Sequence, residues 1–288
     1  MKHILSCLFC VCLATLLSAN EPQKVPLYPE NSGEVKMDQK TPYMFVYPAA
    51  QKTGTILILP GGGYRNCVLT REGYAVAEKF RSFGFTVAVL DYRVSPARYP
   101  APQKDVLRAI KLLRADAEKY RVDPDHLAVL GFSAGGHLAG CAGTLYGKVD
   151  ANVGDRVDSM SARPDALVLC YPVVSLADDF GHTRSGDCPL GEKASDAERK
   201  ALSLQNLVTD DTPPAFLWHT AGDDTVPCFN SIEFARAMWA HRRRAELHVF
   251  PEGRHGKDLA AQLPCAWTWP QLAANFLKEI CLFPVAGK

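Results

Sequence analysis

Leu127-Ala128-Val129-Leu130-Gly131-Phe132-Ser133-Ala134-Gly135-Gly136-His137-Leu138-Ala139 is the stretch on which the reading of this chain turns. The run 127–130 is apolar and suits a buried strand, and the residues from Ala134 onward suit a helix. Between them, Gly131-Phe132-Ser133-Ala134-Gly135 allows only a very tight turn. A serine there is pushed out of the backbone to where a small molecule can reach it. The glycines two residues to either side avoid collision with the adjoining strand and helix. This is the G-x-S-x-G nucleophile elbow, and the strand-turn-helix context raises it above a chance match. The bland alternative is a glycine-rich turn in an ordinary α/β domain.

Outward from the elbow, apolar β-type runs fall at 55–59, 85–90, 166–170, 215–220 and 245–250, with 43–47 as an early edge strand. Helical spacing of apolar residues marks 71–83, 105–120, 231–241 and 269–280. Strands alternating with helices predict an α/β fold, with a mostly parallel central sheet flanked by helices on both faces. Residues 175–212 are polar and poor in strand signals, so they are expected to form a lid-like excursion over the active-site end. Residues 21–288 read as one catalytic domain.

A nucleophilic serine needs a base, a carboxylate to orient the base, and donors for an oxyanion. In an α/β-hydrolase the chain order is Ser, then Asp or Glu, then His. Five histidines follow the elbow helix. His219 and His248 fall within strand patterns, His241 ends a helix and His182 lies in the polar excursion. His255 sits in Pro251-Glu252-Gly253-Arg254-His255-Gly256, just after a strand, where a ligand crevice forms in such sheets. It is the expected base, and His137 is expected to pack beside the site. Asp223 and Asp224, in the loop after the 215–220 run, are both candidates for the acid. Gly61-Gly62-Gly63 follows the 55–59 run, and its backbone can approach a substrate closely. The expected oxyanion donors are the N–H groups of Gly62, Gly63 and Ala134. A phosphate-cradling loop is the weaker reading, since no Lys-Ser/Thr pair follows the glycines and the spacing fits neither a P-loop nor a dinucleotide fingerprint.

Bulk properties are ordinary for a soluble globular protein. Hydrophobic residues make up 47% of the chain and charged residues 22%, with a net charge of +1, so nothing favours nucleic acid. Residues 1–20 combine a short basic start, the apolar run 4–17 and Ser18-Ala19-Asn20, which reads as a secretory signal peptide cut after Ala19. The expectation is a secreted or periplasmic protein with no membrane partner once that segment is removed. Beyond it remain Cys67, Cys141, Cys170, Cys188, Cys228, Cys265 and Cys281, with no C-x-x-C or Cys/His ligand spacing. No metal and no cofactor is expected. Arg93 and Asp105 read as structural anchors, and Trp267 and Trp269 as core or a sugar-stacking face.

Leu59-Pro60-Gly61-Gly62-Gly63-Tyr64, Asp91-Tyr92-Arg93, the elbow, Asp211-Thr212-Pro213-Pro214 and Phe250-Pro251-Glu252-Gly253-Arg254-His255-Gly256 occur in that order. In these motifs the chain resembles bacterial α/β-hydrolase esterases of the acetyl esterase and acetylxylan esterase-like group, related to hormone-sensitive-lipase-type carboxylesterases. The resemblance spans about residues 40–280. It implies catalytic Ser133, Asp223 and His255, the acid being Asp223 because in that group it lies four residues before the proline of a Val-Pro pair, here Pro227. It also implies hydrolysis of short acyl esters on plant-polysaccharide sugars. The chain departs from the group at Pro60, where many relatives have His, and at Lys257-Asp258, in the loop bordering the acyl or leaving-group site. Two other readings are a prolyl-oligopeptidase-like peptidase and a non-catalytic carbohydrate-binding relative.

Overall fold

The apolar runs assemble into one sheet. The computed structural model describes residues 22–30 and 32–287. The signal segment read at 1–20 lies outside them. The strands are β1 (Gln23–Pro26), β2 (Tyr43–Tyr47), β3 (Thr53–Leu59), β4 (Thr86–Asp91), β5 (Val122–Phe132), β6 (Ala166–Cys170), β7 (Ala215–Thr220) and β8 (Ala245–Phe250). Their order is β1-β2-β4-β3-β5-β6-β7-β8. β1 pairs antiparallel with β2, and β2 antiparallel with β4. All other pairs are parallel.

One expectation needs correction. Tyr43–Tyr47 is not an edge strand, because β1 pairs along its outer side with Gln23 opposite Val46 and Pro26 opposite Tyr43. The four residues Gln-Lys-Val-Pro carry a single apolar side chain that packs inward, Val25, which is too little pattern to announce a strand.

Period-two alternation sorts the parallel strands into two layers. Leu57, Leu59, Ala88 and Leu90 point into one core, and Ile56, Ile58, Val87 and Val89 into the other. Every residue of β3, β4, β6 and β7 is buried. The α-helices of six or more residues are α1 (Ala75–Arg81), α2 (Ala101–Ala115), α3 (Ala134–Thr144), α4 (Thr183–Leu190), α5 (Asp196–Ala201), α6 (Phe229–Ala240) and α7 (Trp269–Asn275). α2, α3 and α6 cover the first face through Leu107, Ile110, Leu138, Phe234 and Met238. α1 and α7 cover the second through Val76, Phe80, Trp269 and Ala273. Helical spacing over 71–83 and 269–280 resolves into α1 and α7 joined to π-helical turns, Leu69–Tyr74 and Phe276–Ile280. A buried carboxylate–guanidinium pair, Arg93–Asp105, ties the end of β4 to α2, with Arg93 Nε 2.9 Å from Asp105 Oδ1 and the Arg93 N–H 2.7 Å from Oδ2.

The topology places the site. From β3 the chain steps to β4 on one side, then returns past β3 to β5 on the other. The loops leaving β3 and β5 therefore face one another across the point where strand order reverses, which is where open α/β sheets bind ligands. The glycine run follows β3 and Ser133 follows β5. Between β6 and β7 the chain runs through α4 and α5. Ser195 and Glu198 close a capping box at the start of α5, a local signal that stops a polar segment from fraying.

Candidate active site

Ser133 has φ 53° and ψ −118°, a backbone state that side-chain-bearing residues rarely hold. Such strain costs about 1–3 kcal/mol and persists only where the surroundings fix it. Here they do. A Cβ on Gly131 would lie 2.1 Å from the Gly135 carbonyl oxygen, and one on Gly135 would lie 2.2 Å from that of Leu59. β5, α3 and β3 thus approach closely enough to hold the turn. Ser133 sits at the N-terminus of α3, whose free N–H groups and dipole favour negative charge beside the hydroxyl.

His255 Nε2 lies 2.7 Å from Ser133 Oγ, and His255 Nδ1 lies 2.7 Å from Asp223 Oδ2. The three side chains come from the ends of β5, β7 and β8, and 122 residues separate the hydroxyl from the ring that meets it. The Asp223 side chain is fully buried, whereas that of His255 is 18% exposed. The Asp223 carboxylate is therefore dry and the His255 ring borders solvent. Burial pushes the Asp223 carboxyl up, but hydrogen bonds from His219 and His255, the imidazole charge and the Val226 N–H win, holding it well below the usual carboxylate range. The N–H groups of Thr225 and Val226 donate to Asp223 Oδ1 at 3.0 and 2.9 Å.

His219 was readable only as a strand residue. It is buried behind the acid, with Nε2 3.3 Å from Asp223 Oδ2 and 2.8 Å from the Val226 carbonyl, and Nδ1 2.8 Å from Ser231 Oγ. Its strand position hid this role, since the residue it supports lies four places on, across a turn.

The glycine run packs against the elbow. A Cβ on Gly61 would lie 3.1 Å from Ser133 Cβ. Gly62 has φ 130° and Gly63 φ 63°, and a side chain on Gly62 would collide with Asn66. The Gly61 N–H is committed, donating to Glu72 Oε2 at 2.8 Å. The second carboxylate oxygen of Glu72 accepts the Tyr171 hydroxyl proton at 2.8 Å. Burial raises the Glu72 carboxyl, and the Tyr171 hydroxyl, the Gly61 N–H and the His255 charge only partly oppose it. The Tyr171 ring meets the His255 ring edge-to-face at 5.1 Å. Neither Glu72 nor Tyr171 announces itself in the sequence, because Glu72 falls in a helix-like run and Tyr171 follows an apolar strand.

The remaining candidates separate cleanly. Asp224 is turned outward, 65% exposed and 3.9 Å from Arg254 Nε. His137 is buried between the Tyr64 hydroxyl (2.8 Å) and the Leu202 carbonyl (2.9 Å), joining the glycine loop to the segment beyond α5. Trp269 is buried and stacks on Trp218, whereas Trp267 is 60% exposed. Among the described residues, no group of His, Cys, Asp and Glu could hold a metal ion, and no helix is long and apolar enough to cross a membrane.

Two of the cavities at this end of the sheet border the glycine and histidine loops. One, of about 730 Å³, runs from Arg65 on the glycine loop to α4 and α5, with Ser95, Arg98, Asp187, Glu192 and Lys193 in its walls. The other, of about 370 Å³, is bounded by Arg71 and residues 256–263. A larger hollow of about 880 Å³ lies against Ser82–Phe85, before β4, and so at the opposite end of the parallel strands from Ser133.

The family model BD-FAE matches residues 45–238, more than half of the chain. Endo-1,4-beta-xylanase B of Butyrivibrio fibrisolvens is 36% identical over 213 residues, 73% of this chain and 33% of that protein. The acetylxylan esterase of Xylanibacter ruminicola is 27% identical over 272 residues, 93% of this chain and 53% of that protein. The chain therefore spans a third to about half the length of these relatives. The crystal structure of an acetyl ester-xyloside bifunctional hydrolase from Caldicellulosiruptor lactoaceticus superposes with a TM-score of 0.84 at 39% identity, covering 90% of this chain and 96% of that one. With the sheet order and the elbow, these likenesses place the chain in the BD-FAE family, as an α/β-hydrolase of the acetylxylan esterase-like kind.

Proposed function

We propose that this chain is a serine carboxylic-ester hydrolase that removes short acyl groups, acetyl above all, from carbohydrate esters such as acetylated xylan or oligosaccharides. The observation that carries the reading is the continuous contact from Asp223 through His255 to Ser133, with 2.7 Å at each step. Ser133 attacks the ester carbonyl as His255 Nε2 takes its proton, and Asp223 holds the Nδ1–H tautomer and stabilises the imidazolium. The N–H groups of Gly62, Gly63 and Ala134 receive the oxyanion, each worth about 3–4 kcal/mol in the transition state. As the bond from the acyl carbon to the sugar oxygen breaks, His255 gives its proton to that oxygen, and the sugar leaves as an alcohol. Water repeats the cycle on the acyl-serine and releases the carboxylate.

A sugar leaving group is supported by the polar cavity that begins at Arg65, two residues beyond Gly63. Its charged and hydroxyl walls suit a polyhydroxylated sugar better than a lipid chain. Acetyl as the acyl group is supported by the names of the relatives, and export by the sequence of residues 1–20. The test is acetate release from acetylated xylan and acetylated xylo-oligosaccharides by wild type and Ser133→Ala. Release by wild type alone is expected. Equal release by both, or none from any short ester, contradicts the reading.

A further inference from the structure

We propose that Glu72 and Tyr171 are positioning residues that lock the glycine loop to the histidine loop, so that oxyanion cradle and imidazole are set as one unit. The proposal rests on the esterase reading of Ser133. One carboxylate, 3% exposed, accepts the Gly61 N–H on Oε2 and the Tyr171 hydroxyl on Oε1, both at 2.8 Å. The Tyr171 hydroxyl oxygen in turn accepts the Asp258 N–H at 2.9 Å, three residues beyond His255. Trp269 Nε1–H donates to the Asp258 carbonyl at 3.0 Å and closes the far side. The Tyr171 ring lies edge-on to the imidazole. Two side chains thereby join the segments at 61, 171 and 258, which the sequence keeps far apart.

The choice of residues is informative. A buried carboxylate served by two neutral donors is a costly way to fill space, and an apolar residue would pack there without desolvation loss. Only a carboxylate offers two acceptor oxygens to the two donors. Gln keeps the volume but offers one acceptor, so with that acceptor on the Gly61 N–H, the Tyr171 hydroxyl, which already accepts the Asp258 N–H, must turn from donor to acceptor. The π-helical turn at Leu69–Tyr74 places Glu72 here, and such turns are frequent at functional sites. Release of the tether lets the glycine N–H groups and the imidazole drift independently, which weakens only contacts made in the transition state.

The test uses p-nitrophenyl acetate with wild type, Glu72→Gln, Tyr171→Phe and the double variant, each normalised to active sites titrated with a fluorophosphonate. We expect kcat per titrated site to fall about 10- to 100-fold in each single variant, with KM changed less than about threefold. The double variant should be no worse than the poorer single, because both substitutions break the same tether. A merely structural role lowers melting temperature and the number of titratable sites but leaves kcat per site at the wild-type value. That result, a loss carried by KM, or multiplicative losses in the double variant would overturn the proposal. Tyr171→Phe keeps the test decisive if Glu72→Gln does not fold. Ser133→Ala in the same assay separates the two claims: turnover without Ser133 sinks the esterase reading, whereas a dead Ser133→Ala beside an unimpaired Glu72→Gln sinks only this inference.

Discussion

The loop after β7 and the turn after β3 each bury a carboxylate within electrostatic reach of His255, and the two behave in opposite ways. Asp223 takes hydrogen bonds from His255 and the Thr225 and Val226 amides, His219 Nε2 lies 3.3 Å from it, and its carboxyl is held low despite burial. Glu72 has two neutral donors, and burial wins, so its carboxyl is raised. The difference follows the number and charge of the partners set against the burial of each carboxylate. In the proposed mechanism, Asp223 stays ionised while an imidazolium forms beside it. Glu72 is arranged to hold geometry.

The largest effect that could break this contrast comes from Asp223→Asn. Loss of the acceptor frees the wrong imidazole tautomer, and kcat on p-nitrophenyl acetate should fall about 10⁴-fold with the fold intact, measured by steady-state kinetics beside circular dichroism. A loss of only tenfold would make Asp223 no more than another positioning group. Glu72→Gln, by comparison, should lose about 10² at most.

A second prediction concerns stability at the junction of glycine loop and excursion. Burial lowers the pKa of His137 to about 4 from an ordinary 6.5. The unfolded chain therefore binds a proton below pH 6.5 that the folded chain refuses, and stability is lost as pH falls from 6.5 toward 4. The full linkage is about 3 kcal/mol. Denaturant titrations across that range should show a shallower pH dependence for His137→Asn than for wild type, and parallel curves would contradict the burial account.

A third sharpens the two-carboxylate comparison by sign. A raised carboxyl makes the folded state take up a proton first, so the contribution of Glu72 to stability is lost as pH rises from about 4.5 upward. Glu72→Gln should therefore gain melting temperature relative to wild type as pH increases from 4.5 to 7. Asp223 carries the opposite sign: its contribution is present above about pH 4 and lost as pH falls below it. The smallest effect is expected at Asp224→Asn, where an exposed carboxylate 3.9 Å from an exposed Arg254 should leave kcat/KM within about twofold.

Placement carried by local pattern was legible. The elbow, the glycine run and the histidine loop are each a few consecutive residues at a strand end, and β6, β7 and β8 coincide with their apolar runs. What local pattern does not carry was not legible. β1 is held by its neighbour and not by its own residues, so 43–47 read as the edge. Asp223 and Asp224 are adjacent and chemically alike. Burial of one side chain and exposure of the other separates them, and that depends on how the loop folds over Val226. Glu72 and Tyr171 meet across 99 residues, and His219 looks like any strand residue until the turn brings Asp223 back over it.

The central claim is that one hydroxyl, Ser133 Oγ, is made reactive by His255 and Asp223. It is tested most directly by mass-spectrometric mapping of a fluorophosphonate adduct, with the labelling rate measured in wild type, His255→Ala and Asp223→Asn. The adduct is expected on Ser133 alone, forming at least about 10³-fold more slowly in either variant. An adduct on another residue, or unchanged labelling of Ser133 in His255→Ala, would contradict the account.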